Sequence, residues 1–177
     1  MNPRLKTLIK LLVFLAVTLY LEACLEEKGN KDPNASLISQ FADVIKVEVT
    51  GKSGNYTFSV TVASPDTGCE QYADWWEVLS AESSNDSSKN SLTGGKLLYR
   101  RILRHSHVDE QPFTRSGGSL AIEEDEVVWI RAHMNEVGYG GKAMKGSFKN
   151  GFTEMEFPLD FAEGVENESP LPTGCDF

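Results

Sequence analysis

Residues 55–64 read NYTFSVTVAS, and their alternation sets the fold class: Tyr56, Phe58, Val60 and Val62 fall on one face, Thr57, Ser59 and Thr61 on the other. Side chains on a strand point to opposite faces with period two, so this pattern belongs to a half-buried antiparallel strand and not to a helix. Upstream, VIKVEVT (44–50) repeats it, with Ile45, Val47 and Val49 set against Lys46, Glu48 and Thr50. Downstream, DWWEVLS (74–80), KLLYRRILR (96–104) and EVVWIRAHM (126–134) are predicted strands. NEVGYGG (135–141) is a Gly-rich turn leading to a hairpin partner in KAMKGSF (142–148), and GFTEMEFPL (151–159) adds a last strand. A polar low-complexity stretch, AESSNDSSKNSLTGG (81–95), separates the third strand from the fourth.

Six or seven strands with frequent turns, and a tryptophan pair on the third, predict an all-β antiparallel sandwich of immunoglobulin or fibronectin-III type. A jelly roll of the cupin kind is the alternative. Tyr56, Phe58, Val60, Val62, Val128, Ile130 and Met134 are the expected core.

The chain starts differently. MNPRLKTLIK carries Arg4, Lys6 and Lys10, and an apolar run follows over residues 11–21. A basic start before about 7–15 apolar residues marks an export signal, whereas a spanning helix wants about 20. The run closes on Leu21-Glu22-Ala23-Cys24, which resembles the lipobox of bacterial lipoproteins; Glu22 departs from the small or apolar residue usual there. The resemblance implies cleavage before Cys24 and acylation of its thiol, making the lipid the membrane anchor. Leu25 stands where familiar Gram-negative systems place an inner-membrane retention Asp, which favours the outer membrane in such a host. The predicted organisation is a signal peptide (1–23), a lipid-anchored tether (24–43), a sandwich domain (44–157) and an acidic C-terminal tail (158–177).

The chain of 177 residues has a formal charge of −9. Removing residues 1–23, with three Lys/Arg and one Asp/Glu, takes it to −11. Nucleic acid and anionic lipid surfaces are poor partners for such a chain, since both call for a basic face. The expected partners are the membrane, through the lipid, and an unidentified envelope or extracellular molecule. Cys69 and Cys175 remain after export into an oxidising compartment and are expected to pair.

Chemistry is sparse. RRILRHSHVDEQPFTRSGG (100–118) places His105 and His107 at i and i+2, side by side if extended. With His133 on another strand they make a three-histidine set suited to a zinc ion, with Glu110 as an outer or fourth ligand. The α-class carbonic anhydrases share that geometry; nothing else of that family is present, and metallo-β-lactamases, copper–zinc superoxide dismutases and cupins match less well. The plainer reading of these residues is a polar network with Arg104, Asp109 and Arg115. Asp66, Glu70 and Asp74 around Cys69 suggest either a calcium loop or a solvated acidic turn. No nucleophile elbow, P-loop or dinucleotide glycine motif occurs. The residues between SPDTGCEQYADWWEVL and RSGG also resemble uncharacterised bacterial secreted proteins, about a third of the chain, with no activity attached. Trp129 and Arg131, joined by Tyr99 and Arg101, form the candidate binding surface; the alternative is that the tail 149–177, tied down through Cys175, covers that face. The expected function is therefore a non-catalytic binding or structural module without a resident cofactor; a zinc-type domain, a hydrolase or lyase, is the alternative.

Overall fold

A computed structural model describes residues 40–81, 95–158 and 160–176. The export signal, Cys24 and nearly all of the tether lie outside the described residues, as does most of the polar stretch after the third strand.

Among the described residues, eight strands form two antiparallel sheets. β1 (Asp43–Lys52), β2 (Asn55–Ala63) and β5 (Phe113–Leu120) make one, with β2 central. The other runs β4 (Leu97–Ile102), β3 (Ala73–Ser80), β6 (Val128–Met134), β7 (Lys142–Ser147), β8 (Gly151–Glu156) in spatial order. Strands one, two and five facing strands three, six and seven is the immunoglobulin-like arrangement, here with the fourth strand added beside the third. The expected all-β sandwich is what forms.

Between the sheets, Tyr56, Phe58, Val60 and Val62 of β2 meet Trp76 and Val78 of β3 and Val128, Ile130, Ala132 and Met134 of β6. All seven expected core residues are buried. Each such side chain contributes about 1.5–3 kcal/mol on leaving water. Trp76 occupies the third-strand position that a buried tryptophan takes in immunoglobulin domains.

Two strands depart from their pattern. The β1–β2 register shifts between Val44 and Lys46, a bulge that buries Val44 and turns Ile45 out to solvent. β5, FTRSGGSL, has almost no apolar alternation and is not among the strands the sequence predicts. Its outer positions are wet, where Thr114 and Ser116 hydroxyls bond Thr61 and Ser59 of β2 at 2.9 and 2.8 Å. Gly117 is required to be small, because a Cβ there would run into the Tyr99 phenol.

β3 is buried along both faces. What covers its outer face is the C-terminal segment: Phe157, Phe161, Ala162 and Val165 close over Leu79, Trp129 and Ala143 in a second hydrophobic cluster. The segment is tied at its end by the expected Cys69–Cys175 disulfide, Cα–Cα 5.6 Å.

Candidate functional site

The outer face of the five-stranded sheet centres on Glu77. Strand register sets Arg100 of β4 and Arg131 of β6 directly opposite it on either side. Arg100 Nε donates to Glu77 Oε2 at 2.8 Å and Arg131 Nε to Oε1 at 2.8 Å. Tyr139, from the β6–β7 turn, donates its hydroxyl to Oε1 at 2.7 Å and accepts from Trp75 Nε1 at 3.0 Å. Burial, reinforced by Glu77, pushes the Tyr139 phenol well above its ordinary pKa. Arg100 spends its remaining donors on the covering segment, reaching the carbonyls of Val165, Glu168 and Pro170 at 2.8, 2.5 and 3.2 Å. The Arg131 guanidinium lies 3.5 Å from the Tyr139 ring centroid and 4.5 Å from that of Phe157.

This geometry decides against the candidate binding surface and for the alternative, a face covered by the tail. Trp129 and Arg131 are buried, 5% and 4% exposed, because the C-terminal segment seals their face. Tyr99 points the other way, against Trp76, and only Arg101 is exposed. Four residues from one expected patch thus go to three environments.

The histidines separate too. His133 is held on the sheet by Asp74, Nδ1 to Oδ1 2.7 Å, with its ring stacked on Trp75 at 3.7 Å. Burial raises the Asp74 carboxyl above the usual carboxylate range, and the bond to His133 opposes the rise. Such a pair orients an imidazole, but Asp74 is the one side chain hydrogen-bonded to His133 among the described residues.

His105 and His107 lie in the segment that follows β4. There Asp66 works as a staple: it accepts from the backbone N–H groups of His107 (2.8 Å) and Ala73 (2.9 Å) and from the Ser64 hydroxyl (2.7 Å). The His107 ring stacks on Phe113 at 3.7 Å and is 4.5 Å from the His105 ring. Its Nδ1 lies 3.8 Å from Asp66, too far for a hydrogen bond, and neither ring nitrogen has a partner. Desolvation, then the positive charge of Arg115 and the neighbouring His105, lowers its pKa to about 4 against the pull of Asp66 and Glu110. Glu110 is itself bound by Arg115 at 2.7 Å.

The alternative zinc set of His105, His107, His133 and Glu110 is therefore not brought together. Among the described residues no three His, Cys, Asp or Glu side chains are placed to share a metal ion. Asp66 and Asp74, read from the sequence as part of either a calcium loop or a solvated acidic turn, are instead buried and committed to the loop staple and to His133. What the β4 end does offer is a cavity of about 180 Å³ lined by Arg101, Ile102, Leu103, Arg104, His105, His107 and Arg115. The sequence places Arg104 and Arg115 near these histidines as a polar network; that Arg101 joins them around one cavity is seen only in the fold.

No protein-family model matches the chain. Over 142 residues it is 36% identical to a protein of Halomicrobium mukohataei described as "Putative lipoprotein". That similarity takes in 77% of this chain and 64% of the relative, so the chain spans less than two thirds of the relative's length. Among solved structures, the superoxide reductase (neelaredoxin) of Ignicoccus hospitalis aligns over 71% of this chain and 87% of its own, at 14% identity and a TM-score of 0.35. A variant of the same protein aligns over 70% and 84%, at 14% identity and 0.37.

Proposed function

We propose that the chain is a lipid-anchored cell-envelope protein whose β-sandwich acts as a non-catalytic binding or structural module. The observation that carries the non-catalytic part is the sealed sheet. Its one large polar cluster among the described residues, Glu77 with Arg100, Arg131 and Tyr139, is bonded to itself and to the backbone of the covering segment, with Arg131 Nη2 alone left unpartnered. Groups so committed hold a structure together and leave little to offer a substrate. The anchoring part is supported by Leu21-Glu22-Ala23-Cys24 behind a short apolar run and by the description of the relative. Acylated Cys24 would hold the domain at the membrane, the outer one in a Gram-negative host, while the strongly acidic exported part stays off anionic lipid.

Labelling cells with a fatty-acid analogue tests the anchor. The wild-type chain should take up label and partition with membranes; Cys24→Ser should lose the label and be released or mislocalised. A mature N-terminus at any residue other than Cys24 would reject it.

A further inference from the structure

We propose that the cavity at the end of β4 binds a small oxyanion, a phosphate- or carboxylate-type group, held by the guanidiniums of Arg101, Arg104 and Arg115. Three observations converge on it. The first is charge against context. In a chain of formal charge −9, three arginines and two imidazoles border a single cavity. Glu110 takes one edge of Arg115, but no carboxylate among the described residues pairs with Arg101 or Arg104. Unpaired arginines against an acidic background focus a local positive potential where an anion would gather.

The second is size. About 180 Å³ is well below the roughly 300–1,000 Å³ of sites for drug-sized ligands, so the cavity selects an ion or a single charged group. Guanidinium forks match the paired oxygens of carboxylate and phosphate, which sets the chemical class.

The third is His107. It borders the cavity, is 1% exposed, and has no hydrogen-bond partner at either ring nitrogen. Both nitrogens are also closed off from water, so an anion in the cavity would act on the ring through its charge and not through a direct hydrogen bond. The charged groups around that ring are Asp66 before β3, Arg101 and Arg104 with His105 along β4 and its extension, Glu110 in the following 3₁₀ turn, and Arg115 on β5. Burial first, and then the neighbouring cations, hold the free imidazole neutral; an anion seated among those cations would offset their share and favour the protonated ring.

The inference rests on reading the domain as a binding module, yet it stands apart from the anchor: fatty-acid labelling of Cys24 can fail without touching this cavity, and the reverse. The test uses the full chain in nonionic detergent micelles, with sulfate and inorganic phosphate as probes and histidine imidazole resonances as the readout. Sulfate keeps one charge state across the pH range, so a pH dependence of its binding belongs to the protein. Saturable shifts of the His105 and His107 signals are expected, with a raised His107 pKa in the bound form. Arg101→Ala and Arg104→Ala should each weaken binding by about tenfold, as loss of a charged hydrogen bond does. Arg104→Lys should recover part of the loss. Both arginines lie at the exposed rim, so the variants fold, and near-unchanged thermal unfolding checks this. Adding phosphatidylglycerol to the micelles separates the sources: competition with phosphate assigns a lipid headgroup, and indifference assigns a free anion. Absence of saturation at physiological ionic strength, or binding unaltered in the Arg101→Ala/Arg104→Ala double variant, would overturn the proposal.

Discussion

Glu77 neutralises two guanidiniums that have no other acidic partner among the described residues, in a place where its own side chain is 0% exposed. Removing one member of such a network strands the others in a medium of low polarity. Glu77→Ala should therefore cost about 3–5 kcal/mol of unfolding free energy, read from urea titration, far more than an average core substitution. His107 gives the complementary prediction. Its folded-state pKa of about 4 lies below the roughly 6.5 of an unfolded histidine, so the unfolded chain binds the extra proton between those values. Its contribution to stability is full above pH 6.5 and is lost as pH falls toward 4, up to about 3 kcal/mol at about 1.4 per pKa unit. His107→Phe keeps a ring against Phe113 and should flatten that slope in denaturant titrations between pH 4 and 7.

At the level of elements, the decisive partner of β3 and β6 is the irregular C-terminal segment, not another strand. The Cys69–Cys175 link spans 106 residues of sequence, and closing a loop of that size is worth about 4–5 kcal/mol in the chain-entropy model. Cys175→Ser should lower stability by that order and loosen the cover over Trp129, seen as a red-shifted tryptophan emission and faster quenching. An unchanged spectrum with lowered stability would mean that Phe157, Phe161 and Val165 hold the cover without the link. β5 carries its own prediction: Gly117→Ala forces a methyl into the Tyr99 ring and should destabilise by about 1–3 kcal/mol, although alanine is an ordinary strand residue.

Across the whole molecule, burial is uneven. β2, β3, β6 and β7 are each paired on both edges, and β3 is covered on both faces as well; β1, β4, β5 and β8 are edge strands, and β8 is largely exposed. Native-state hydrogen exchange should be slowest in β3 and β6 and fastest in β8, since opening free energy follows buried apolar contact. The arginine cavity sits beside the edge strand β4, held by the Asp66 staple on one side and Phe113 on the other, a firm site at one end of a rigid sandwich.

How much of this was legible follows from what periodicity encodes. Alternation in NYTFSVTVAS and EVVWIRAHM sorted core from outer residues correctly, because a strand must send successive side chains to opposite faces whatever surrounds it. It could not say whether an outer face is wet. Trp129 and Arg131 read equally as a surface patch or as a face under the tail, and only the packing of Phe157, Phe161 and Val165 decided for an interior; those residues are spaced by turns and carry no period to read. β5 escaped for a related reason: its inner positions hold Arg115 and Gly117, residues shaped by Tyr99 and the cavity rather than by strand formation. The sequence by itself determined the fold class, the cysteine pair and the core faces of β2 and β6, since these depend on local alternation and on Cys69 and Cys175 being the two thiols left to join beyond residue 24. Tertiary structure alone decided which histidines are neighbours, that Glu77 lies between two arginines, and that Arg101, Arg104 and Arg115 border one cavity. Those are meetings of distant residues, and strand order and loop path, not local pattern, set the distances between them.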